Sequence, residues 1–203
     1  MRKKLSLILL ILLIINSYSL ANEFKFTVVT KEPIGFKDKN EFYQLGTPIN
    51  VFLRKFGPAE KVTEDKYEGE RIRLYTRDEY NQHYLANTRT HYYVNDGLMV
   101  TEDNAGIIKG IIFYLVADPD FKAARVETDT GISAGYSVRQ IVKLYGEPFK
   151  KKEFNKTILG HTFEQVELYY KYGQNVIGYN FDHGVLKSIS LNAGYLKYLE
   201  ELP

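Results

Sequence analysis

The 203-residue sequence contains no cysteine and no tryptophan. The missing thiol excludes a lipidated N-terminal cysteine, a disulfide framework, a cysteine nucleophile and cysteine-bound zinc. A fold without disulfides depends on its hydrophobic core, and the chain is long enough for one or two small domains. Long apolar runs are also absent after residue 21. We therefore expect no stable membrane insertion once the N-terminus has been removed.

The N-terminus is typical of a secretory signal. Three basic residues follow Met1, every residue of the run 5–15 except Ser6 is Leu or Ile, and Ser19 and Ala21 are small. This run is shorter than the roughly 20 apolar residues that a spanning helix needs. We predict cleavage after Ala21 and a periplasmic or secreted mature protein.

Charge is nearly balanced along the chain. There are 27 basic and 25 acidic side chains, a net charge of +2. Removal of the predicted signal takes three basic residues with it, so the mature chain has 24 basic against 25 acidic side chains, a net charge of about −1. No polybasic stripe remains, and we do not expect nucleic acid as a partner.

Two segments share one pattern, which predicts an internal duplication. The first runs from Gly46 to Gly57 and the second from Gly135 to Gly146, at a constant offset of 89 residues. Apolar residues recur at i, i+3, i+4 and i+7 in both, which is typical of one face of a short amphipathic helix. They are Ile49, Phe52, Leu53 and Phe56 in the first segment, and Val138, Ile141, Val142 and Tyr145 in the second.

The ends of both segments agree with short helices. Thr47 and Pro48 suit an N-cap followed by the first helical position, and Ser137 with Gln140 makes a capping box. The closing glycines can adopt the left-handed conformation that ends a helix, and a proline follows each of them closely.

Strand-like sequence follows each predicted helix. Residues 71–75 and 165–169 alternate between apolar and polar side chains, and each half closes with a hairpin pattern, at 103–113 and 182–191. A helix of two and a half turns is unstable alone, so it must pack against the strands. We predict an α+β fold of two tandem repeats, each a short helical segment packed on an antiparallel β-meander, in one continuous sheet.

This pattern sets the predicted boundaries of the chain. They are a signal peptide at 1–21, an N-terminal strand segment at 22–39, repeat 1 at 40–117 with a Tyr-rich insertion at 77–96, a linker at 118–125, repeat 2 at 126–192 and a C-terminal tail at 193–203.

The order of glycine, amphipathic helix, aromatic-Gly-x-Pro stop, Tyr-rich strand and Gly-Val-Leu-x-x-Ile hairpin resembles a known module. It is similar to the module of the SmpA/OmlA outer-membrane lipoproteins, which also occurs in tandem in beta-lactamase inhibitor proteins. The resemblance is clearest over Thr130 to Leu191 and weaker over Leu45 to Leu115. It implies a helix layer against a continuous antiparallel sheet whose open face binds a protein partner, and it includes no catalytic signature.

One pattern points to catalysis. Residues 131–135, Gly-Ile-Ser-Ala-Gly, have the spacing of a nucleophile elbow around Ser133, with Asp182, His161 and His183 downstream. An elbow requires a preceding parallel strand in a doubly wound sheet, whereas this chain has the pattern of antiparallel hairpins. We therefore predict that the protein is not an enzyme, and an envelope serine hydrolase using Ser133 stays as an alternative. The four histidines lack the spacing of a metal site, and we predict no metal or cofactor.

Aromatic residues are abundant, with 17 Tyr and 12 Phe. Tyrosine beside arginine on a sheet is typical of protein-binding surfaces, although tyrosine is also simply a good strand former. Period-two geometry places seven side chains on the face away from the helices: Arg71, Arg73, Tyr75, Arg77, Glu167, Tyr169 and Lys171. We predict a non-catalytic protein-binding or scaffold module that binds a protein of the envelope. A small-ligand carrier is a further alternative.

Overall fold

The computed structural model describes residues 24–65, 88–158 and 161–194, and over these ranges the protein is an α+β fold rich in strands. Twelve strands and two short α-helices lie within the described ranges. The strands are β1 Lys25–Val29, β2 Gly35–Asp38, β3 Glu41–Gln44, β4 Lys61–Asp65, β5 Thr88–Tyr93, β6 Leu98–Glu102, β7 Ile108–Tyr114, β8 Arg125–Thr128, β9 Lys150–Ile158, β10 His161–Tyr172, β11 Asn175–Asp182 and β12 Val185–Ala193; the helices are α1 Ile49–Phe56 and α2 Val138–Tyr145. None of these helices is long and apolar enough to cross a membrane.

An eight-stranded antiparallel sheet forms the centre of the fold. Its strand order is β4-β5-β6-β7-β12-β11-β10-β9. The first four strands come from residues 61–114, here called the first half, and the last four from residues 150–193, here called the second half. The two groups join where β7 pairs with β12, with Ile111 opposite Leu191.

A second sheet of four strands packs on one face of the first. Its order is β3-β2-β1-β8, and β1 and β8 pair in parallel. The expected single continuous sheet is therefore corrected to two separate sheets. The physical reason lies in the N-terminal segment, where Phe26, Val28 and Phe36 are fully buried. Phe26 and Phe36 each place their rings within 5.4 Å of the ring of Phe113, so this sheet covers the large one instead of extending it.

Both predicted helices are present on that same face. Helix α1 buries Phe52 and helix α2 buries Ile141. In α2 the predicted capping box forms, because the backbone N–H of Gln140 donates to the hydroxyl of Ser137 and the Gln140 side chain accepts from the Ser137 backbone. Helix α1 has no side-chain cap, and Pro48 is its N-cap residue rather than its first helical residue.

The two helices are held by matching contacts. Gly57 and Gly146 end the helices at φ values of 75° and 81°. The hydroxyl of Tyr93 donates to the carbonyl of Gly57 at 3.0 Å, and that of Tyr170 donates to the carbonyl of Gly146 at 2.9 Å. An isolated β-bridge before each helix joins Pro48 to Ile107 in one case and Ser137 to Val185 in the other.

The strand positions differ from expectation in the first half. The segment 71–75 lies outside the described residues. Strand β5 lies inside the segment 77–96 that we expected to be an insertion, and it pairs with both β4 and β6. The apolar alternation that would reveal β5 is broken by Arg89 and His91, two polar residues on its helix-facing side. In the second half the register is as predicted, since Leu168 belongs to the buried core and Glu167 does not.

Candidate functional site

The face of the large sheet opposite the helices, here called the open face, is largely polar. Because side chains alternate along a strand and neighbours across strands share a face, the pairing register assigns the members of each row. One row begins at the end of β7 and crosses the sheet to β9. It consists of Tyr114, Ser188, Asn180, Glu167 and Lys152, each opposite the next. Two residues of this row, Glu167 and Lys152, lie on the two strands at the far edge of the sheet.

The linker between β7 and β8 crosses the open face in the first half. Phe121 of this linker stacks on Tyr114 at 4.1 Å and on Tyr92 at 6.0 Å between ring centroids. Asp118 fixes the turn, because its carboxylate accepts from the backbone N–H groups of Asp120 and Phe121 at 2.8 and 2.7 Å. The linker thus covers the part of the open face around Tyr92 and Tyr114.

A groove of about 300 Å³ lies between this linker and the second half of the sheet. Its floor is the polar row, through Ser188, Asn180 and Glu167, and its walls include Tyr114 and Asp118. Gln165, Asp182 and Lys187 also line it. The groove therefore combines an aromatic ring with several amides, hydroxyls and carboxylates, a set that can orient a polar ligand.

Two of the predicted binding residues meet at this groove. Glu167 lines it, and the hydroxyl of Tyr169 donates to Oε2 of Glu167 at 2.7 Å. Tyr169 itself is only 5 % exposed, so it is not the exposed anchor that we expected. Its ring lies against Gly178, where an added Cβ would come within 3.2 Å of the ring, and the ammonium of Lys152 is 5.5 Å from its centroid. Tyr169 therefore positions the Glu167 carboxylate.

A further predicted binding residue, Lys171, does not line the groove. Lys171 is exposed further along β10, with its ammonium 5.6 Å from the ring of Phe149. The remaining four, Arg71, Arg73, Tyr75 and Arg77, lie outside the described residues.

The groove has an excess of negative charge. Asp118, Glu167 and Asp182 contribute carboxylates and Lys187 contributes one ammonium group. Burial raises the pKa of the Tyr114 hydroxyl, and the charge of Asp118 raises it further. Tyr114 therefore stays neutral at physiological pH and can present its ring and a hydroxyl.

A buried pair of ionisable side chains, which no sequence pattern indicated, lies on the other face of the sheet. Nε2 of His91 is 2.9 Å from Oε1 of Glu102, and the two side chains are 7 % and 5 % exposed. Arg89 approaches the same carboxylate oxygen at 3.6 Å and binds Glu64 at 2.7 Å. Strand pairing was the missing information, because His91 and Glu102 are 11 residues apart and meet only when β5 and β6 align.

The alternative nucleophile Ser133 lies in the turn before α2. The flanking glycines, Gly131 and Gly135, have φ values of 83° and 87°, which suits a turn. His183 is engaged elsewhere, with Nδ1 2.8 Å from Asp182 and Nε2 3.1 Å from the carbonyl of Thr162. Over the described ranges, no group of three or more His, Asp or Glu side chains is arranged to hold a metal ion.

Comparison with known proteins identifies no family. No family model matches the chain. No curated protein matches it in sequence either. Among solved structures, the chain is similar to a cysteine-rich secretory protein from Staphylococcus aureus subsp. aureus Mu50, at 12% sequence identity and a TM-score of 0.46. The similarity covers 75% of this chain and 45% of that one, so the chain spans less than half of that protein's length.

Proposed function

We propose that the protein is an exported, non-catalytic binding or scaffold module of the periplasm or cell envelope, and that it binds another protein on the open face of its large sheet. The groove between the linker and the second half of the sheet is the observation that carries this proposal. It is a concave, polar surface on the large sheet, and its lining residues come from four strands and the linker. Rigid sheets position binding side chains without a large entropic cost.

We further propose that the scaffold arose from two tandem helix-plus-sheet repeats of the SmpA/OmlA kind. Three matched features favour this: the tyrosine hydrogen bonds to Gly57 and Gly146, the bridges before each helix, and the antiparallel meander of four consecutive strands in each half. On this alignment Tyr93 corresponds to Tyr170. Duplication of one unit, a helix followed by a meander, would explain all three features.

Export is proposed from the first 21 residues alone. The basic start, the short apolar run and the small residues before the predicted cleavage site are the pattern of a cleavable signal. An exported protein without cysteine requires no oxidising compartment, and this is compatible with both the periplasm and the exterior.

Site-specific photocrosslinking in living cells tests the binding proposal. A photoreactive amino acid is placed at Gln165 or Lys171, both exposed on the open face, and at Arg139 or Lys143, both exposed on helix α2, as matched controls. We expect discrete crosslinked protein bands from the open-face positions and none from the helix positions. Equal crosslinking from both faces, or none from either, would contradict the proposal.

A second measurement separates the rival classes. Labelling of the exported protein by a fluorophosphonate probe that disappears in Ser133→Ala would show a serine hydrolase and overturn the non-catalytic assignment. The volume of the groove also favours a small-ligand carrier as a second candidate, since ligand pockets begin at about 300 Å³. Native mass spectrometry of the exported protein would reveal such a ligand as a discrete mass increment.

A further inference from the structure

We infer that the groove binds the guanidinium group of an arginine side chain presented by the protein partner. The inference rests on the proposed function and names the chemistry that its binding face recognises. It follows from three properties of the groove: its size, its charge and the way its hydrogen-bonding groups are already used.

The size of the groove suits one side chain. Its volume of about 300 Å³ is at the lower limit of pockets that enclose a whole small ligand. Tyr114 and the linker form one wall, and the strand carrying Gln165 and Glu167 lies across the floor. A single long side chain can enter such a space, whereas a strand or helix of a partner cannot.

The charge of the groove favours a cation. The lining has three carboxylates and one ammonium group, and Lys152 opposite Glu167 adds a second cation beside it. A net negative charge remains, so phosphate and carboxylate ligands are disfavoured. Glu167 is half-buried, and its Oε2 is occupied by the Tyr169 hydroxyl. That bond engages Oε2 and not Oε1. That oxygen can therefore accept a charge-assisted hydrogen bond from a ligand.

The groove offers more acceptors than donors. The hydroxyl of Tyr169 is spent on Glu167, and the amide nitrogen of Asn180 donates to the hydroxyl of Ser188 at 2.9 Å. This bond orients the amide and leaves the Asn180 carbonyl oxygen as an acceptor. Lys187 is the one charged donor of the lining. A guanidinium group has five N–H donors and no acceptor, and so complements this set.

Arginine fits better than lysine for geometric reasons. The guanidinium group is planar, can bind a carboxylate and a carbonyl at the same time, and stacks on aromatic rings. Tyr114 provides such a ring in the wall of the groove, within the same row as Asn180 and Glu167. Phe121 stacks on one face of this ring at 4.1 Å, so a guanidinium group would use its other face or its edge. A lysine ammonium would use only part of this surface.

The test uses blocked amino acids and backbone NMR of the exported chain. N-acetyl-arginine methylamide is titrated into the ¹⁵N-labelled protein beside N-acetyl-citrulline methylamide, its neutral isostere. We expect millimolar binding of the arginine probe, with shifts centred on Glu167, Asn180 and Ser188, and at least about tenfold weaker binding of the citrulline probe. Free L-arginine distinguishes a small-molecule ligand from a protein side chain.

Three variants complete the test. Glu167→Gln removes the charged acceptor and should weaken arginine binding about tenfold, while Tyr169→Phe releases the carboxylate and should weaken it less. Gln165→Glu adds a carboxylate at an exposed position of the lining and should strengthen binding. Glu147→Gln, at an exposed position that does not line the groove, is the matched control and should change nothing.

Several results would overturn the inference. The first three are equal binding of the two probes, NMR shifts located away from the groove, and no binding of the arginine probe. The fourth is arginine binding that changes in neither of the single variants Glu167→Gln and Gln165→Glu. Free L-arginine binding far more tightly than the blocked probe would overturn the protein side chain as occupant. If crosslinking from Gln165 succeeds while the arginine probe fails, the proposed function stands and the guanidinium assignment falls. If the arginine probe binds and crosslinking from Gln165 fails, the guanidinium site stands and the proposed protein partner falls.

Discussion

The buried pair His91–Glu102 provides a stringent test of how the first half is stabilised. Its side chains are 7 % and 5 % exposed and 2.9 Å apart. In the proposed repeat alignment, strand register makes Leu168 the counterpart of His91 and Phe181 the counterpart of Glu102. The second half therefore has apolar side chains at the corresponding positions. This suggests that apolar residues can replace the pair in the first half.

The expected magnitudes follow from what each substitution leaves behind. His91→Leu strands the Glu102 carboxylate, a loss of about 3–5 kcal/mol for a buried pair. Arg89 remains 3.6 Å away, so we expect the lower end, about 3 kcal/mol. Glu102→Leu leaves the buried His91 ring without its hydrogen-bond partner, which costs about 2 kcal/mol. The double substitution leaves no buried charge and should lie within about 1 kcal/mol of the parent.

Urea unfolding of the parent, the two single variants and the double variant at pH 7 measures this cycle, provided that all four share one m value. The magnitudes above correspond to a coupling of about 4 kcal/mol between the two positions. Single costs that add to the double cost within about 0.5 kcal/mol would refute the reasoning, because the two side chains would then not act as a pair.

Three other predictions concern the core, the tyrosines and the N-terminus. Phe52→Ala and Ile141→Ala should each lower the free energy of unfolding by about 2–5 kcal/mol, since both side chains are fully buried; an unchanged denaturation midpoint would exclude equivalent core roles. Burial raises the pKa of Tyr170 to about 12, whereas an unfolded tyrosine titrates near pH 10. The unfolded chain therefore loses this proton first, so stability should fall as pH rises from about 10 to 12, and Tyr170→Phe should fall less steeply in urea titrations at these pH values. Intact mass of the exported protein should correspond to a chain that begins at Asn22, and a mass that retains residues 1–21 would exclude cleavage after Ala21.

Local periodicity was sufficient to predict the helices and the register of the second half. The repeated apolar set places Phe52 and Ile141 on buried faces, and alternation in 165–169 places Leu168 in the core. Both signals need only a few adjacent residues, because helix and strand geometry fix which side chains share a face.

Non-local pairing was beyond that reasoning. The parallel contact between β1 and β8 joins segments about 100 residues apart, and nothing in either segment specifies its partner. Strand β5 was missed because His91 and Arg89 interrupt its apolar alternation. The buried position of His91 becomes compatible with the core only when β6 brings Glu102 to within 2.9 Å of its Nε2. The groove depends on the path of the linker, and the predicted linker at 118–125 did not reveal that Phe121 would stack on Tyr114.

The two halves also differ where the proposed binding chemistry lies. Under the repeat alignment, strand register makes Thr90 the counterpart of Glu167 and Thr101 the counterpart of Asn180. The two threonines are buried and their hydroxyls are 3.3 Å apart, so they satisfy each other. The first half thus lacks the carboxylate that would attract a cation. The two hydroxyls bond to each other and leave no buried polar group without a partner, so stability at these positions does not require the carboxylate and the amide. Binding should therefore depend on the second half, and the first half should contribute to it through the linker that walls the groove.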